Sequence, residues 1–188
     1  MFNSPYLLAI DLEATCDATQ LPSATREIIE IGAVVIDGQT KAMVAEFQSF
    51  VRPVKTTILT EYCRNLTSIQ QDDVDQAPLF PEVLARLNAF LAPYSALTFC
   101  AWGDYDYRQF RRDCTSHEQT FPFSAQVDVS RKFRRFKGLD KRPSLREAAA
   151  MMDVDFEGTH HRAIDDARCL ASILLRFIPE LEQDAASA

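Results

Sequence analysis

The sequence predicts an α/β domain built on a mixed sheet whose first strands are antiparallel and whose later strands are parallel. In the first half of the chain, three apolar stretches are separated by polar and turn residues, which is typical of adjacent antiparallel strands. In the second half, short apolar stretches alternate with segments of helical periodicity, which is typical of parallel strands joined by helices. The length of 188 residues suits a single domain, so we expect residues 1–188 to form one unit with its core between about 6 and 178.

The first three strands form an antiparallel meander. We predict them at Tyr6–Leu12, Glu27–Ile36 and Met43–Val51, stretches that are rich in apolar and β-branched residues. The dipeptide Asp37-Gly38, between the second and third strands, is a strong turn signal.

The second half adds two strands, each followed by a helix. Helical spacing of apolar residues begins at Pro81 and ends at Pro93. A short apolar strand is predicted at Ala96–Ala101, followed by a helix at Asp104–Cys114. The fifth strand is predicted at Gln126–Val129.

Two more helices complete the predicted fold. Ser144 begins a capping-box pattern that opens a helix ending at Met152. The last helix is predicted from about His161 to Phe177, with one apolar stripe facing the core. The small polar tail 183–188 is expected to fray.

Composition and cysteine use exclude several classes of protein. The apolar and charged fractions, 47% and 25%, are those of a globular domain, and no apolar stretch is long enough for a membrane helix. The five cysteines are odd in number, scattered and never spaced as CxxC, which argues against a disulfide framework or a zinc site. With no basic N-terminal region of a signal peptide, the chain is expected to be cytoplasmic.

The charge is negative overall but unevenly distributed. The formal net charge is −7, yet the segment Arg131–Arg142 holds seven of the twenty basic residues. These cations could line a groove for backbone phosphates, with Phe133 and Phe136 stacking on bases. Alternatively, Val129, Phe133 and Phe136 lie at helical spacing and belong to the core, and the cations form a solvated face.

Two carboxylates stand side by side at the end of the first strand. Because side chains alternate along a strand, Asp11 and Glu13 point to the same face, where their like charges repel each other. A divalent cation between them would remove the conflict. The alternative is a strand that simply ends in polar residues.

Two further aspartates lie where a helix pattern calls for apolar residues. Asp106 heads an inward row with Phe110 and Cys114, whereas Asp104 is placed to cap the helix and pair with a nearby arginine. In the last helix, Asp166 lies on the inward stripe and its neighbour Asp165 lies on the solvent side. An inward carboxylate needs a cation or a set of hydrogen bonds, which makes Asp106 and Asp166 the candidates for function.

A histidine precedes the last helix. His161 could reach over a site that Asp166 helps to form, and an imidazole is suited to proton transfer near neutral pH. His160 is the competing candidate, and a simple capping or surface role for His161 is the alternative.

These residues match three motifs of a known family. The patterns Asp-x-Glu-Ala-Thr-Cys at Asp11, Trp-Gly-x-Tyr-Asp ending at Asp106 and His-x-x-x-x-Asp from His161 to Asp166 resemble those of the DEDDh 3′–5′ exonucleases. The closer resemblance is to the Eri-type branch, which includes the histone-mRNA 3′ exonuclease and bacterial KapD-like members. Supporting stretches lie at 26–32, 50–53, 65–70 and 158–167, and the match extends from about residue 6 to 178.

The resemblance implies an RNase H-like five-stranded sheet and a site with two Mg²⁺ or Mn²⁺ ions. It implies that the metal ligands are Asp11, Glu13, Asp106 and Asp166, that the general base is His161, and that Glu13 also belongs to the catalytic set. Nucleotide-binding residues by the same resemblance are Ala14, Leu66, Ile69 and Trp102. The expected partner is the 3′ end of a single-stranded nucleic acid, RNA rather than DNA, and no membrane.

The sequence departs from the branch at one position and leaves rival functions open. Ser68 replaces the glycine of the usual Leu-Thr-Gly-Ile pattern, in a loop that resembles the one near the terminal base of the substrate. The rivals are a DNA-directed exonuclease, an oligonucleotide scavenger and a non-catalytic module that regulates a partner on the same fold.

Overall fold

The computed structural model describes residues 4–19, 22 and 25–187, with side chains as far as Pro179. Five strands form one mixed sheet in the order β3-β2-β1-β4-β5. Their bounds are β1 Tyr6–Ala14, β2 Ile28–Asp37, β3 Ala42–Phe50, β4 Leu97–Ala101 and β5 Ala125–Asp128. Strands β1, β2 and β3 pair antiparallel, and β1, β4 and β5 pair parallel, so the predicted fold class is confirmed.

Helices cover both faces of the sheet. Their bounds are α1 Glu61–Thr67, α2 Gln71–Asp75, α3 Phe80–Leu91, α4 Tyr105–Ser116, α5 Val129–Phe136, α6 Leu145–Met151 and α7 Ala163–Ser187. One core cluster packs α5, α6 and α7 against one face, and a second packs α3 and α4 against the other. No helix in the described part of the chain has the length and apolar character needed to cross a membrane.

Three features differ from the sequence predictions. The short helices α1 and α2 were not predicted, because neither is long enough to show an apolar period; α1 is instead specified by the side chain of Thr60, which caps Cys63. The predicted end of the last helix near Phe177 is wrong. The helix continues past Pro179 to Ser187, since the residues after the proline are mostly good helix formers. Ala188 lies outside the described residues.

The first half of the basic segment is helical, and its aromatic residues face the core. Phe133 is completely buried, with ring centroids 5.7 Å from Trp102 and 5.3 Å from Phe177. Phe136 also packs on Phe177 at 5.5 Å. The core interpretation is therefore confirmed for Phe133, whereas Phe136 is partly buried and packs against the same core. Base stacking by Phe133 is wrong because its ring has no accessible surface.

A glycine in β2 sets the distance between the sheet and α7. A Cβ atom on Gly32 would lie 2.1 Å from the carbonyl carbon of Ala163, the first residue of that helix. Only a residue without a side chain permits this close approach. Because Gly32 pairs with Asp11 of β1, the approach brings the start of α7 next to the acidic strand.

We expect Gly32→Ala to push α7 away from the sheet. The new methyl group meets backbone rather than a flexible side chain, so the substitution should lower the free energy of unfolding by about 3 kcal/mol, the upper end of the usual range for overpacking. Thermal denaturation measures the loss. An unchanged melting temperature would contradict the close packing described above.

Candidate active site

The first strand presents two acids on the face that α7 covers. Leu8, Ile10 and Leu12 enter the core cluster of α3 and α4, so the alternating positions Asp11 and Glu13 face the opposite side. Asp11 lies opposite Gly32 and Glu13 lies opposite Glu30 of β2. The register shifts immediately after Glu13, at Ala14, where the regular ladder ends. The predicted common face of the two acids is thus present.

Two helix beginnings bring the other acids to this strand. Asp166 lies in the first turn of α7. One carboxylate oxygen from each of Asp11, Glu13 and Asp166 lies within 4.8 Å of the other two. Asp106 lies in the first turn of α4 and its Oδ1 accepts a hydrogen bond from the backbone N–H of Leu12 at 3.2 Å. Only 3% of Asp166 and 6% of Asp106 is exposed, so both acids are buried next to the strand that carries the first pair.

The neighbouring acids have other partners. Asp104 is exposed and pairs with Arg108 one helical turn later. Asp165 accepts a hydrogen bond from the Thr159 N–H at 2.9 Å and pairs with Arg168 at 3.2 Å. Asp165 therefore anchors the loop before α7 and is less open to solvent than the sequence indicated. The sequence choice of Asp106 and Asp166 over these neighbours matches their positions in the structure.

Burial and mutual repulsion raise the pKa values of the clustered acids. Burial, and then the charges of Asp106, Glu13 and Asp166, raise the pKa of Asp11 well above its ordinary value. Burial and the neighbouring carboxylates raise the pKa of Glu13 to about 9. Burial also raises the pKa of Asp106 to about 7, although the Leu12 hydrogen bond opposes the shift. Carboxylates of this kind are hard oxygen ligands that a divalent cation would stabilise in their charged form.

The rings of the two adjacent histidines contact different acids. His160 Nδ1 lies 2.9 Å from Asp166 Oδ1, and the backbone N–H of His161 donates to Asp166 Oδ2 at 2.8 Å. The ring of His161 turns toward Glu13, with Nδ1 3.8 Å from Oε1, and 40% of its side chain is exposed. Burial and the adjacent His160 lower the pKa of His161 below its ordinary value, which favours a neutral imidazole able to accept a proton.

The backbone of His161 is in the left-handed region, with φ of 63°. This conformation is uncommon for a residue with a side chain and is maintained where the surrounding contacts require it. Here the requirement comes from Asp166, which binds the N–H of His161 and the ring of His160. The loop therefore presents the His161 ring to Glu13 instead of continuing into the helix.

A buried ion pair that sequence reasoning missed holds the start of α7. Glu30 has no exposed surface, and its carboxylate accepts hydrogen bonds from Arg162 Nε at 3.0 Å and Nη2 at 3.1 Å. It also accepts from the Ala163 N–H at 3.1 Å and from Gln48 Nε2 at 2.9 Å. The available signal was an acid inside the apolar run Ile28–Ile31, a position that demands a partner.

The expected nucleotide-binding residues differ in exposure. Ala14 is nearly buried at the end of β1, and Ile69 is fully buried in a small cluster with Leu59, Cys63 and Val74. Leu66 is partly exposed. Trp102 is partly buried against Phe133, and its indole N–H donates to the carbonyl of Pro143 at 3.0 Å. Ser68, which stands where the branch has glycine, ends α1 in the left-handed conformation with φ of 61°, a position that favours glycine.

The family model described as Exonuclease, RNase_T, matches residues 8–174. This chain belongs to the exonuclease family. Its relatives include the "Probable 3′-5′ exonuclease KapD" of Bacillus subtilis, which is 35% identical over 86% of this chain and 78% of the relative. The 3′-5′ exoribonuclease 1 of Homo sapiens is 29% identical over 93% of this chain. The chain spans about half of that protein, 53% of its length.

A solved structure has the same fold. The nuclease domain of 3′hExo, described as a DEDDh family member bound to rAMP, superposes with a TM-score of 0.87 at 27% identity. The match covers 95% of this exonuclease and 94% of that domain. The predicted DEDDh resemblance and the activity of a 3′–5′ exonuclease are confirmed at the level of the family.

The acidic cluster of this exonuclease fits a divalent metal ion, a cofactor that DEDDh exonucleases use in general. The fit rests on three oxygen donors within 4.8 Å of one another, Asp11, Glu13 and Asp166, whose like charges a bound cation would offset. Asp106 contributes to the same electrostatic cluster without belonging to that trio.

We expect the metal-free exonuclease to lose stability as the pH rises. The folded protein holds protons on acids that the unfolded chain releases near pH ~4, so the free energy of unfolding falls between pH ~5 and pH ~9 and levels off once the buried acids have ionised. Thermal melts in chelator across this range measure the effect. Added Mn²⁺ should reverse the trend, because it binds the ionised carboxylates.

Asp106→Asn serves as the matched variant in these melts. The amide keeps an oxygen that can accept the Leu12 hydrogen bond but removes one buried charge. In chelator at high pH its melting temperature should exceed that of the unmodified protein by a few degrees, since ~1 kcal/mol corresponds to about 2–4 °C at this size. A flat pH profile in both proteins would exclude electrostatic strain at the cluster.

Proposed function

We propose that this exonuclease removes nucleotides from the 3′ end of single-stranded RNA and releases nucleoside 5′-monophosphates. The observation that carries the proposal is the convergence of three carboxylates within 4.8 Å, with the ring of His161 3.8 Å from one of them. The human relative is named an exoribonuclease, and the 3′hExo nuclease domain is described with rAMP bound. These two descriptions support RNA over DNA.

The proposed cofactors are two Mg²⁺ or Mn²⁺ ions. Their ligands would be Asp11, Glu13, Asp106 and Asp166, which supply only oxygen donors, the type that these hard cations prefer. When bound, such a pair of ions stabilises charge on the attacking and leaving oxygens of a phosphodiester. The Leu12 N–H fixes the Asp106 carboxylate, and the His161 N–H fixes that of Asp166, so both acids are oriented before a metal or a substrate arrives.

The proposed general base is His161. Its lowered pKa keeps the ring neutral near pH 7, so a ring nitrogen can take the proton of the attacking water. The oxygen of that water forms the new bond to phosphorus, and the bond from phosphorus to the 3′-oxygen of the penultimate nucleotide breaks. The phosphate therefore leaves on the 5′ side of the released nucleoside. The exposed fraction of the His161 ring allows it to reach a terminal nucleotide that enters from solvent.

A reducing, cytoplasmic location is proposed on the cysteines alone. All five are free thiols, and four of them are buried in the core. Oxidising conditions favour paired cysteines in a domain of this size, so unpaired thiols support a compartment that keeps them reduced.

A degradation assay tests the proposed substrate and direction. Labelled single-stranded RNA and DNA of one sequence, each with a free or a blocked 3′ end, are incubated with Mg²⁺, with Mn²⁺ or with chelator. We expect mononucleotide 5′-phosphates from free 3′ ends of RNA in the presence of metal, and slower release from DNA. Equal or faster release from DNA would overturn the RNA preference, and no release from either strand would leave the fold as a non-catalytic module.

Substitution of each of the three histidines of the chain tests the assignment of His161 as the general base. His161→Ala should lower kcat by about 10²–10⁴-fold, because it removes the group that accepts the proton. His160→Ala should have a smaller effect through the orientation of Asp166. His117→Ala is the matched control, since His117 stacks on Phe80 at 5.3 Å, outside the acidic cluster.

The order of these effects decides between the two adjacent rings. Single-turnover degradation of RNA gives the rate for each variant, and circular dichroism checks that each is folded. If His160→Ala abolished turnover while His161→Ala retained it, His160 would be the base and the present assignment would be wrong.

A further inference from the structure

A large basic groove lies beside α4 and α5, outside the acidic cluster. Its volume is about 1070 Å³. Seven basic side chains line it, together with two acidic ones, in a chain whose net charge is −7. The basic residues are Arg108, Arg111, Arg112, Arg131, Lys132, Arg135 and Arg142. The groove is therefore positively charged, whereas the molecule as a whole is negatively charged.

Two helices form the walls of the groove, each with its cations on one side. Arg108, Arg111 and Arg112 are three and four residues apart on α4, and Arg131 and Arg135 are four apart on α5. Residues at these spacings share a helix face, and like charges there destabilise the helix. The two acids of the groove offset only part of the charge: Asp104 pairs with Arg108, and Asp128 pairs with Arg142 at 3.3 Å. An anionic ligand would remove the remaining repulsion.

The chemistry of the groove favours phosphates over bases. Phe133 is buried behind the α5 wall, so it offers no ring on which a base could stack. Tyr107, the aromatic residue that lines the groove, packs against Phe121, and the guanidinium of Arg111 lies 5.7 Å from its ring centroid. What the walls present is guanidinium groups, which bind phosphate oxygens in a bidentate manner.

The sheet places the groove at the same end as the acidic cluster. Strands β1, β4 and β5 run parallel, so their carboxyl ends lie together at one end of the sheet. Asp128 ends β5 and lines the groove, whereas Asp11 and Glu13 lie near the end of β1. The two strands are separated only by β4, so their axes are about 10 Å apart. A nucleic acid strand that left the acidic cluster on this side would therefore meet the groove.

We propose that this groove binds the backbone phosphates of the nucleic acid on the 5′ side of the terminal nucleotide. The inference rests on the proposed function and specifies its substrate class: a polynucleotide long enough to span both sites, in contrast to a dinucleotide. Electrostatic contacts of this type are independent of sequence, so the groove provides affinity and orientation and leaves the chemistry to the acidic cluster.

The test compares two double variants with the unmodified protein. Arg131→Ala with Arg135→Ala removes two exposed cations from the α5 wall. The matched control, Arg52→Ala with Arg86→Ala, removes two exposed cations elsewhere, and Arg86 lies on α3, which contacts β3 at the opposite edge of the sheet. Because all four side chains are exposed, we expect both proteins to fold, and thermal melts check this.

Binding is measured by fluorescence polarisation with a labelled strand of about twenty nucleotides, which exceeds the length that one single-strand-binding groove usually covers. The strand carries phosphorothioate linkages, which resist cleavage. The groove variant should bind about tenfold more weakly, and its plot of log affinity against log salt should be shallower by about 1.4, or ~0.7 per lost phosphate contact. In the cleavage assay, KM for the long strand should rise by a similar factor. Cleavage of a dinucleotide should be unchanged.

The outcomes distinguish a failure of the groove proposal from a failure of the proposed function. If the groove variant and the control bind the long strand with the same affinity and salt slope, the groove proposal is overturned even when the enzyme is active. If the groove variant weakens dinucleotide cleavage as much as that of the long strand, the groove acts on the catalytic cluster itself and the proposal is likewise wrong. Absence of cleavage of any strand by the unmodified protein would refute the proposed function, and the binding measurement would still decide the role of the groove.

Discussion

The central constraint on this structure is that three carboxylates of like charge are kept close together at one end of the sheet. Asp11, Glu13 and Asp166 repel one another, and burial in the absence of a cation makes their ionisation unfavourable. The opposing contacts come from Glu30, which lies opposite Glu13 on the neighbouring strand. Glu30 accepts hydrogen bonds from two nitrogens of Arg162 and from the first N–H of α7, which fixes the helix that carries Asp166. The buried ion pair thus holds the acids in a geometry that they would not adopt unaided.

The same constraint explains the unusual loop before α7. The Asp166 carboxylate orders two successive residues, the ring of His160 and the backbone of His161, and the left-handed conformation at His161 follows from these contacts. One consequence is that the two adjacent imidazoles have different roles. His160 supports an acid, whereas His161 faces Glu13 with part of its ring open to solvent. The motif spacing of five residues between His161 and Asp166 is therefore a loop geometry and not a helical one.

Sequence reasoning found the acids because burial patterns leave few roles for an inward carboxylate. Asp106 and Asp166 were distinguished from their neighbours by the apolar residues three and four positions away, and both are buried in the structure. The same reasoning did not find Glu30, since a single acid in an apolar strand does not reveal its partner 132 residues away. It also left the basic segment between two interpretations. The structure assigns Phe133 to the core and adds the arginines of α4 to the cations, a pairing that spans the loop and strand between the two helices.

The sequence by itself determined the mixed sheet and the family, and it singled out four acids and a histidine as candidates for the site, because alternation along strands, helical periodicity and motif spacing are local properties. Only the tertiary structure decided what lies beside these residues. The approach of α7 to Gly32, the ion pair of Glu30 and the joining of two basic helix faces are contacts between segments far apart in the chain. Such contacts depend on how the elements pack, and no local pattern of residues specifies the packing.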